Sequence, residues 1–236
     1  MRTWVVGLFL GAVVAATSAS AYDAEDPANC NGAERDEALT ILVSKVTAQP
    51  RVNFVKSPYD DDFKAETCPA ATDACRKKSY LVTGDLVLVG RTRGDFSCVT
   101  YQSPSDKKPI WTAGWLPSAA LTPVAPNSAL RLEDWIGNWD QPHGSIEIKR
   151  GSGGRLKIDG LMAVKGAREV HTGVIEAQVI PDKDSIAFLD DGAQPFETKA
   201  DGCRVRMQRF GSSLVVVDNG GCGGAGVTFD AFYRRK

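Results

Sequence analysis

The chain has 236 residues, with 28 basic and 29 acidic side chains, enough for one large domain or two small ones. So even a charge balance argues against nucleic acid or an anionic membrane as the principal partner, because both demand a clustered basic face. Abundant glycine, 23 residues, and the lack of long helical periodicity favour many short strands over a helical bundle.

The chain opens on Met1-Arg2, an apolar run from Trp4 to Ala16, small residues from Thr17 to Ala21, and then the acidic stretch Asp23-Ala24-Glu25-Asp26. A positive start, a short apolar run and a small-x-small ending are the parts of an export signal, so residues 1–21 are expected to be a cleaved signal peptide. A bilayer span needs a run of ~20 apolar residues, and this run is shorter, so no membrane span is expected in the mature chain. Cys30 does not follow the apolar run directly, which speaks against a lipid anchor. The expected location is the bacterial periplasm.

Six cysteines follow, Cys30, Cys68, Cys75, Cys98, Cys203 and Cys222. An even count in an exported chain reads as three disulfides, and no Cys-x-x-Cys pair suggests a redox motif or a zinc knuckle. Neither a metal nor a cofactor is expected.

The segment Leu121 to Ser128 carries Pro123 and Pro126 and little that favours a strand, so it reads as a linker between modules. The expected division is residues 22–123, a Pro-rich linker at 124–129, and residues 130–236, with two separate cores. Within the first module, Ala33 to Leu39 could form a helical turn ahead of the apolar stretch Thr40 to Val46. Tyr80 to Gly90, Phe96 to Tyr101 and Ile110 to Pro117 alternate apolar and polar positions between turn residues, as strands of a small barrel do. Gly84-Asp85-Leu86-Val87-Leu88-Val89, the turn Arg93-Gly94-Asp95, Phe96, and Gly114-Trp115-Leu116-Pro117-Ser118-Ala119-Ala120-Leu121 together resemble an SH3-type barrel of the kind found on exported bacterial proteins. The resemblance covers about the last 45 residues of the module. Ala119 and Ala120 stand where peptide-binding members carry Asn and Tyr, and Phe96 stands for the ligand-stacking Trp. The resemblance therefore implies the barrel without the polyproline groove.

The second module offers eight candidate strands: Ile146–Lys149, Arg155–Asp159, Leu161–Lys165, Gly173–Val179, Ser185–Leu189, Cys203–Phe210, Ser213–Asp218 and Val227–Tyr233. Short Gly-, Asp- and Pro-containing turns join most of them, which suits an up-and-down meander that closes into a barrel. Ahead of them stands Trp135-Ile136-Gly137-Asn138-Trp139. A Gly-x-Trp entry into eight strands is similar to the start of lipocalin and avidin barrels, where the Trp plugs one barrel end. The ending Asp218 to Arg235, with Cys203 upstream, also looks like the C-terminal domain of a group of small exported proteobacterial proteins of unsettled function. The expected fold class is thus all-β, two small barrels. Ile146, Ile148, Leu156, Ile158, Val215 and Val217 could fill the second barrel or line a small apolar ligand; a filled interior is favoured.

Cys203 and Cys222 are the cysteines of this module and are expected to bond to each other. The first module allows three pairings, of which Cys68–Cys75 with Cys30–Cys98 is preferred. The first closes a short polar loop and the second ties the N-terminal segment to a strand.

Catalytic groups are sparse. His143 and His171 read as turn or rim residues. The runs Asp60-Asp61-Asp62 and Asp190-Asp191 read as solvated turns, without the desolvation that paired catalytic carboxylates need or a calcium loop's spacing. Gly220 to Gly226 precedes a strand pattern, whereas a phosphate cradle precedes a helix. The expectation is a non-enzymatic binding protein that recognises an envelope protein or a peptidoglycan fragment. The candidate contacts are Tyr59, Phe96, Tyr101, Trp111 and Trp115 in the first module and Asp218 and Asn219 in the second. The alternative is an inhibitor or immunity protein that inserts the loop Asp218 to Gly226 into a lysozyme or another cell-wall hydrolase.

Overall fold

Strands account for most of the regular structure in a computed structural model that describes residues 26–32, 36–103, 110–166 and 168–236. The expected signal peptide, residues 1–21, lies outside the described residues, as do residues 33–35 of the expected helical turn.

The first sheet holds β1 (Val43–Val46), β2 (Arg51–Val55), β3 (Arg76–Val82), β4 (Leu86–Arg93), β5 (Phe96–Gln102), β6 (Trp111–Pro117) and β7 (Leu121–Val124). Their order is β3-β2-β6-β5-β4-β1-β7, a half-barrel. The stretch Tyr80–Gly90 divides at Thr83-Gly84, where Gly84 takes φ +97°. β2 was not among the expected strands; it is short and follows Pro50. The start of the Pro-rich segment needs correction too, while residues 125–129 lie outside helices and strands. Leu121–Val124 is a strand paired with β1, with Pro123 opposite Ser44. Proline is tolerated there because β7 is an edge strand, whose outer side needs no donor.

The second sheet holds β8 (Gly137–Gln141), β9 (Gly144–Arg150), β10 (Leu156–Lys165), β11 (Val170–Val179), β12 (Ser185–Leu189), β13 (Arg204–Phe210), β14 (Ser213–Asp218) and β15 (Ala231–Arg235). Its order, β11-β10-β9-β8-β15-β14-β13-β12, is an up-and-down meander bent into a nearly closed eight-stranded barrel. The first and last strands of this sheet in chain order meet where Arg234 opposes Asp140 and Arg235 opposes Trp139; the remaining seam lies between β11 and β12. Eight strands were expected, but two of them, Arg155–Asp159 and Leu161–Lys165, are one continuous β10. Gly160 between them is no turn. A Cβ there would stand 2.5 Å from Ile175 Cγ1, so the missing side chain makes room for inward packing. The strand that completes the count is β8, which carries the Gly-x-Trp residues themselves.

Inward side chains alternate along each strand and fill the barrel: Trp139, Ile146, Ile158, Phe188, Val205, Met207, Leu214 and Tyr233 are all buried in one cluster with Trp135 and Phe229. Val215 and Val217, offered for the interior, point the other way. They join Phe210 and Phe232 against Leu39, Ile41, Val43 and Leu88 of the first module. The two cores are therefore bridged by a third apolar cluster and are not independent. Polar bonds reinforce it: Phe232 N donates to Gln102 Oε1 at 2.8 Å, and Asn127 exchanges two bonds with the backbone of Gly211 at 2.9 and 2.8 Å.

The disulfides are Cys30–Cys98, Cys68–Cys75 and Cys203–Cys222, the expected pairings. The first two lie in a buried cluster with Val55, Phe96 and Trp115.

Candidate functional site

A groove runs along the junction of the two modules, with a volume of about 780 Å³. Its floor is set by sequence alternation in Thr40-Ile41-Leu42-Val43: Ile41 and Val43 turn into the bridging cluster, which leaves Leu42 outward and 53% exposed. Leu39, at φ +52°, adopts a backbone conformation that β- and γ-branched side chains rarely take. Its side chain is 1% exposed, and that burial holds the turn in place. Trp111 of β6, 38% exposed, and Thr100 of β5 also line the groove.

The second module supplies the polar wall. Arg204 Nη1 donates to Glu37 O at 2.8 Å and to Thr198 O, and Arg206 Nε donates to Ala38 O at 3.0 Å. Two arginines of β13 thus fasten the segment 36–39 across the junction. Asp36, beside them, accepts from Thr40 N at 2.7 Å and from Thr40 Oγ1 at 2.5 Å. Those bonds, with a smaller part from Arg206, hold its carboxyl below the ordinary aspartate range. It is ionised at neutral pH. The groove therefore combines an apolar floor, one exposed indole, and hydroxyl, amide, carboxylate and guanidinium groups on its walls. Such a mixture binds and orients an amphiphilic ligand.

Of the seven expected contacts, two line this groove, Trp111 and Asn219. Asn219 Oδ1 accepts from Arg204 N at 3.0 Å and its Nδ2 donates to Gly202 O at 2.8 Å, so it shapes the wall. The other five need correction or sit elsewhere. Trp115 is fully buried and Phe96 nearly so, in the disulfide cluster; Trp115 Nε1 donates to Ala28 O at 3.3 Å. Both are core, since large aromatics beside two disulfides are the main apolar mass available there. Asp218 is also fully buried. Its carboxylate accepts from Thr228 Oγ1 at 3.1 Å and from the amides of Gly220 and Phe229, so it is the internal anchor of the glycine-rich loop. Tyr59 is half-buried and donates to the Asp26 carboxylate, which holds that carboxyl below its usual range. Tyr101 is half-buried against the first core, and burial, followed by Asp85, pushes its phenol up.

Residue-type reasoning missed Leu42, Asp36 and Arg204. For Leu42 the signal was present, because strict alternation with Ile41 and Val43 sends it outward. For the other two no local pattern exists, since the module junction brings them together.

The remaining sequence candidates have plain structural settings. Lys56 and Lys77 pair with Asp61 and Asp60 at 2.5 and 2.9 Å, Asp190 Oδ1 accepts from Cys203 N, and Asp191 Oδ1 from Ala193 N. His171 lies 3.6 Å from Glu169, and His143 sits in the β8–β9 turn. Among the described residues no group of three or more His, Cys, Asp or Glu is placed to hold a metal ion. No described helix is long and apolar enough to cross a membrane. The glycine run continues into β15, a strand, with Gly224 N bonded to Thr172 O at 3.1 Å. Comparison with protein-family models, with curated proteins and with solved structures found no match to this chain.

Proposed function

We propose that the protein is a non-catalytic binding protein of the bacterial periplasm that takes a cell-wall glycan fragment in the groove between its modules. The observation that carries this reading is that the exposed Trp111 and Leu42 line one groove together with buried Leu39 and polar side chains of both modules. A sugar ring offers an apolar C–H face and a hydroxyl edge, and an indole beside amide, hydroxyl and carboxylate groups answers both. Three disulfides suit an oxidising compartment, and the N-terminal export pattern supplies the route. The SH3-like and lipocalin-like resemblances agree with a pair of binding modules and add no chemistry of their own.

The inhibitor reading draws on the loop Asp218 to Gly226. That loop lies back on β11, through the Gly173–Gly223 bridge and the bond from Gly224 to Thr172, so it does not project toward a cleft. The groove has the stronger support. Sedimentation of the mature protein with isolated peptidoglycan tests it: wild type should pellet and Trp111→Ala should stay in the supernatant. If neither pellets, the cell-wall reading fails and an envelope protein becomes the ligand to seek.

A further inference from the structure

Apart from the groove, one end of the barrel holds a concentration of positive charge. Trp139 of β8 has two guanidiniums stacked on it, Arg209 of β13 at 4.5 Å and Arg235 of β15 at 4.7 Å from the ring centre. Both arginines, with residues 127–130 and Asp134, line an open cavity of about 450 Å³. Arg209 is 8% exposed, whereas Arg235 lies at the surface.

The nearby carboxylates are already engaged. Asp134 is 3.3 Å from Arg131, Asp140 is 2.7 Å from Lys236, and Glu133 is paired with Arg150. What the described residues offer the two guanidiniums is carbonyl oxygen. Arg209 Nε donates to Ser213 O at 3.2 Å, its Nη2 to Gly211 O at 3.1 Å and its Nη1 to Asp134 O; Arg235 Nη2 donates to the same Asp134 O at 2.8 Å. A guanidinium carries more N–H donors than these bonds use. A buried cation bonded only to neutral oxygens, with a second cation beside it and a facing carboxylate, Asp134, that is itself paired with Arg131, is electrostatically incomplete.

We propose that Arg209 and Arg235 form an oxyanion site, which receives a phosphoryl or carboxylate group of a small ligand in this cavity. Three carbonyls fix the Arg209 plane before any ligand arrives, so little ordering is lost on binding. The Trp139 ring supports both forks without competing for their donors, and paired guanidiniums match the planar or tetrahedral oxygens of an anion through charge-assisted bonds. Consistent with the missing counter-charge, burial and then the neighbouring Arg235 hold Arg209 below the ordinary arginine value, and Asp134 offsets only part of this.

The test follows the arginine Nε resonances of the full mature chain during titration with inorganic phosphate, acetate, and chloride at matched ionic strength. Saturable shifts of Arg209 and Arg235 with phosphate assign the phosphoryl form, and with acetate alone the carboxylate form. In Arg235→Gln, whose surface position leaves the barrel intact, the affinity should fall at least roughly tenfold. Arg235→Lys keeps the charge and loses the fork, and should weaken binding as well. Shifts that never saturate, shifts equal to those with chloride, or an Arg235→Gln variant with unchanged affinity would each overturn the site and leave the pair as a brace for the barrel end.

Discussion

Trp115 and Trp111 stand four residues apart on one strand and have opposite fates. Trp115 is fully buried beside two disulfides, and Trp111 is 38% exposed on the groove rim. Replacing Trp115 with Ala removes a large buried ring and should cost about 3–5 kcal/mol. Trp111→Ala should change stability by no more than about 0.5 kcal/mol, and denaturant midpoints of the two variants check the contrast. Composition alone does not separate such a pair. Both are aromatics in a β6 sequence, and Trp115 owes its burial to the N-terminal segment that Cys30 ties over the sheet. A second residue-scale prediction concerns Tyr233, fully buried with its hydroxyl donating to Phe229 O at 3.1 Å. Burial, with the charges of Asp218 and Asp230, holds its phenol well above the ordinary range. A raised folded-state value means the stabilisation is complete below the unfolded value of about 10 and is lost as pH rises beyond it. Unfolding midpoints measured across pH 8 to about 11.5 should therefore fall at the alkaline end, and Tyr233→Phe should lessen that fall.

At the scale of elements, the loop between β14 and β15 is stapled by Cys203–Cys222, separated by 19 residues, and by the buried carboxylate of Asp218. Replacing both cysteines with Ser should destabilise the chain by about 2–4 kcal/mol through release of the unfolded loop, a shift readable in the denaturant midpoint. A thiol assay on the unfolded, unreduced wild type should find no free cysteine. The disulfides and most of the barrel strands were legible in the sequence because each rests on local evidence: cysteine parity, period-two alternation and glycine turns. Other features were not, β2 after Pro50 among them. Gly160 looks like a turn residue until Ile175 and Phe229 are seen to need its space, Pro123 looks like a linker residue until its edge position is known, and β8 was hidden inside the motif it carries.

For the whole molecule, the bridging cluster decides how the parts behave together. Phe210, Val215, Val217 and Phe232 of the second module pack on Leu39, Ile41, Val43 and Leu88 of the first. Both sheets should then unfold in one transition, with coincident curves from tryptophan fluorescence and far-UV circular dichroism. Two separated transitions would return the modules to independence. This junction could not be read from the sequence, because alternation shows that Val215 and Val217 share a face and not which face meets a neighbour. The same junction builds the groove. Leu42 and Asp36 come from one module and Arg204 and Asn219 from the other, so the candidate site exists only in the assembled chain.

The most direct measurement is photocrosslinking in the intact envelope from a benzophenone side chain placed at position 111, with position 161 on the outer face of the barrel as control. A binding groove predicts a discrete adduct from position 111 that contains cell-wall glycan, that excess soluble peptidoglycan fragments abolish, and that position 161 does not give. Equal adducts from both positions, or none from position 111, would contradict a ligand site between the two modules.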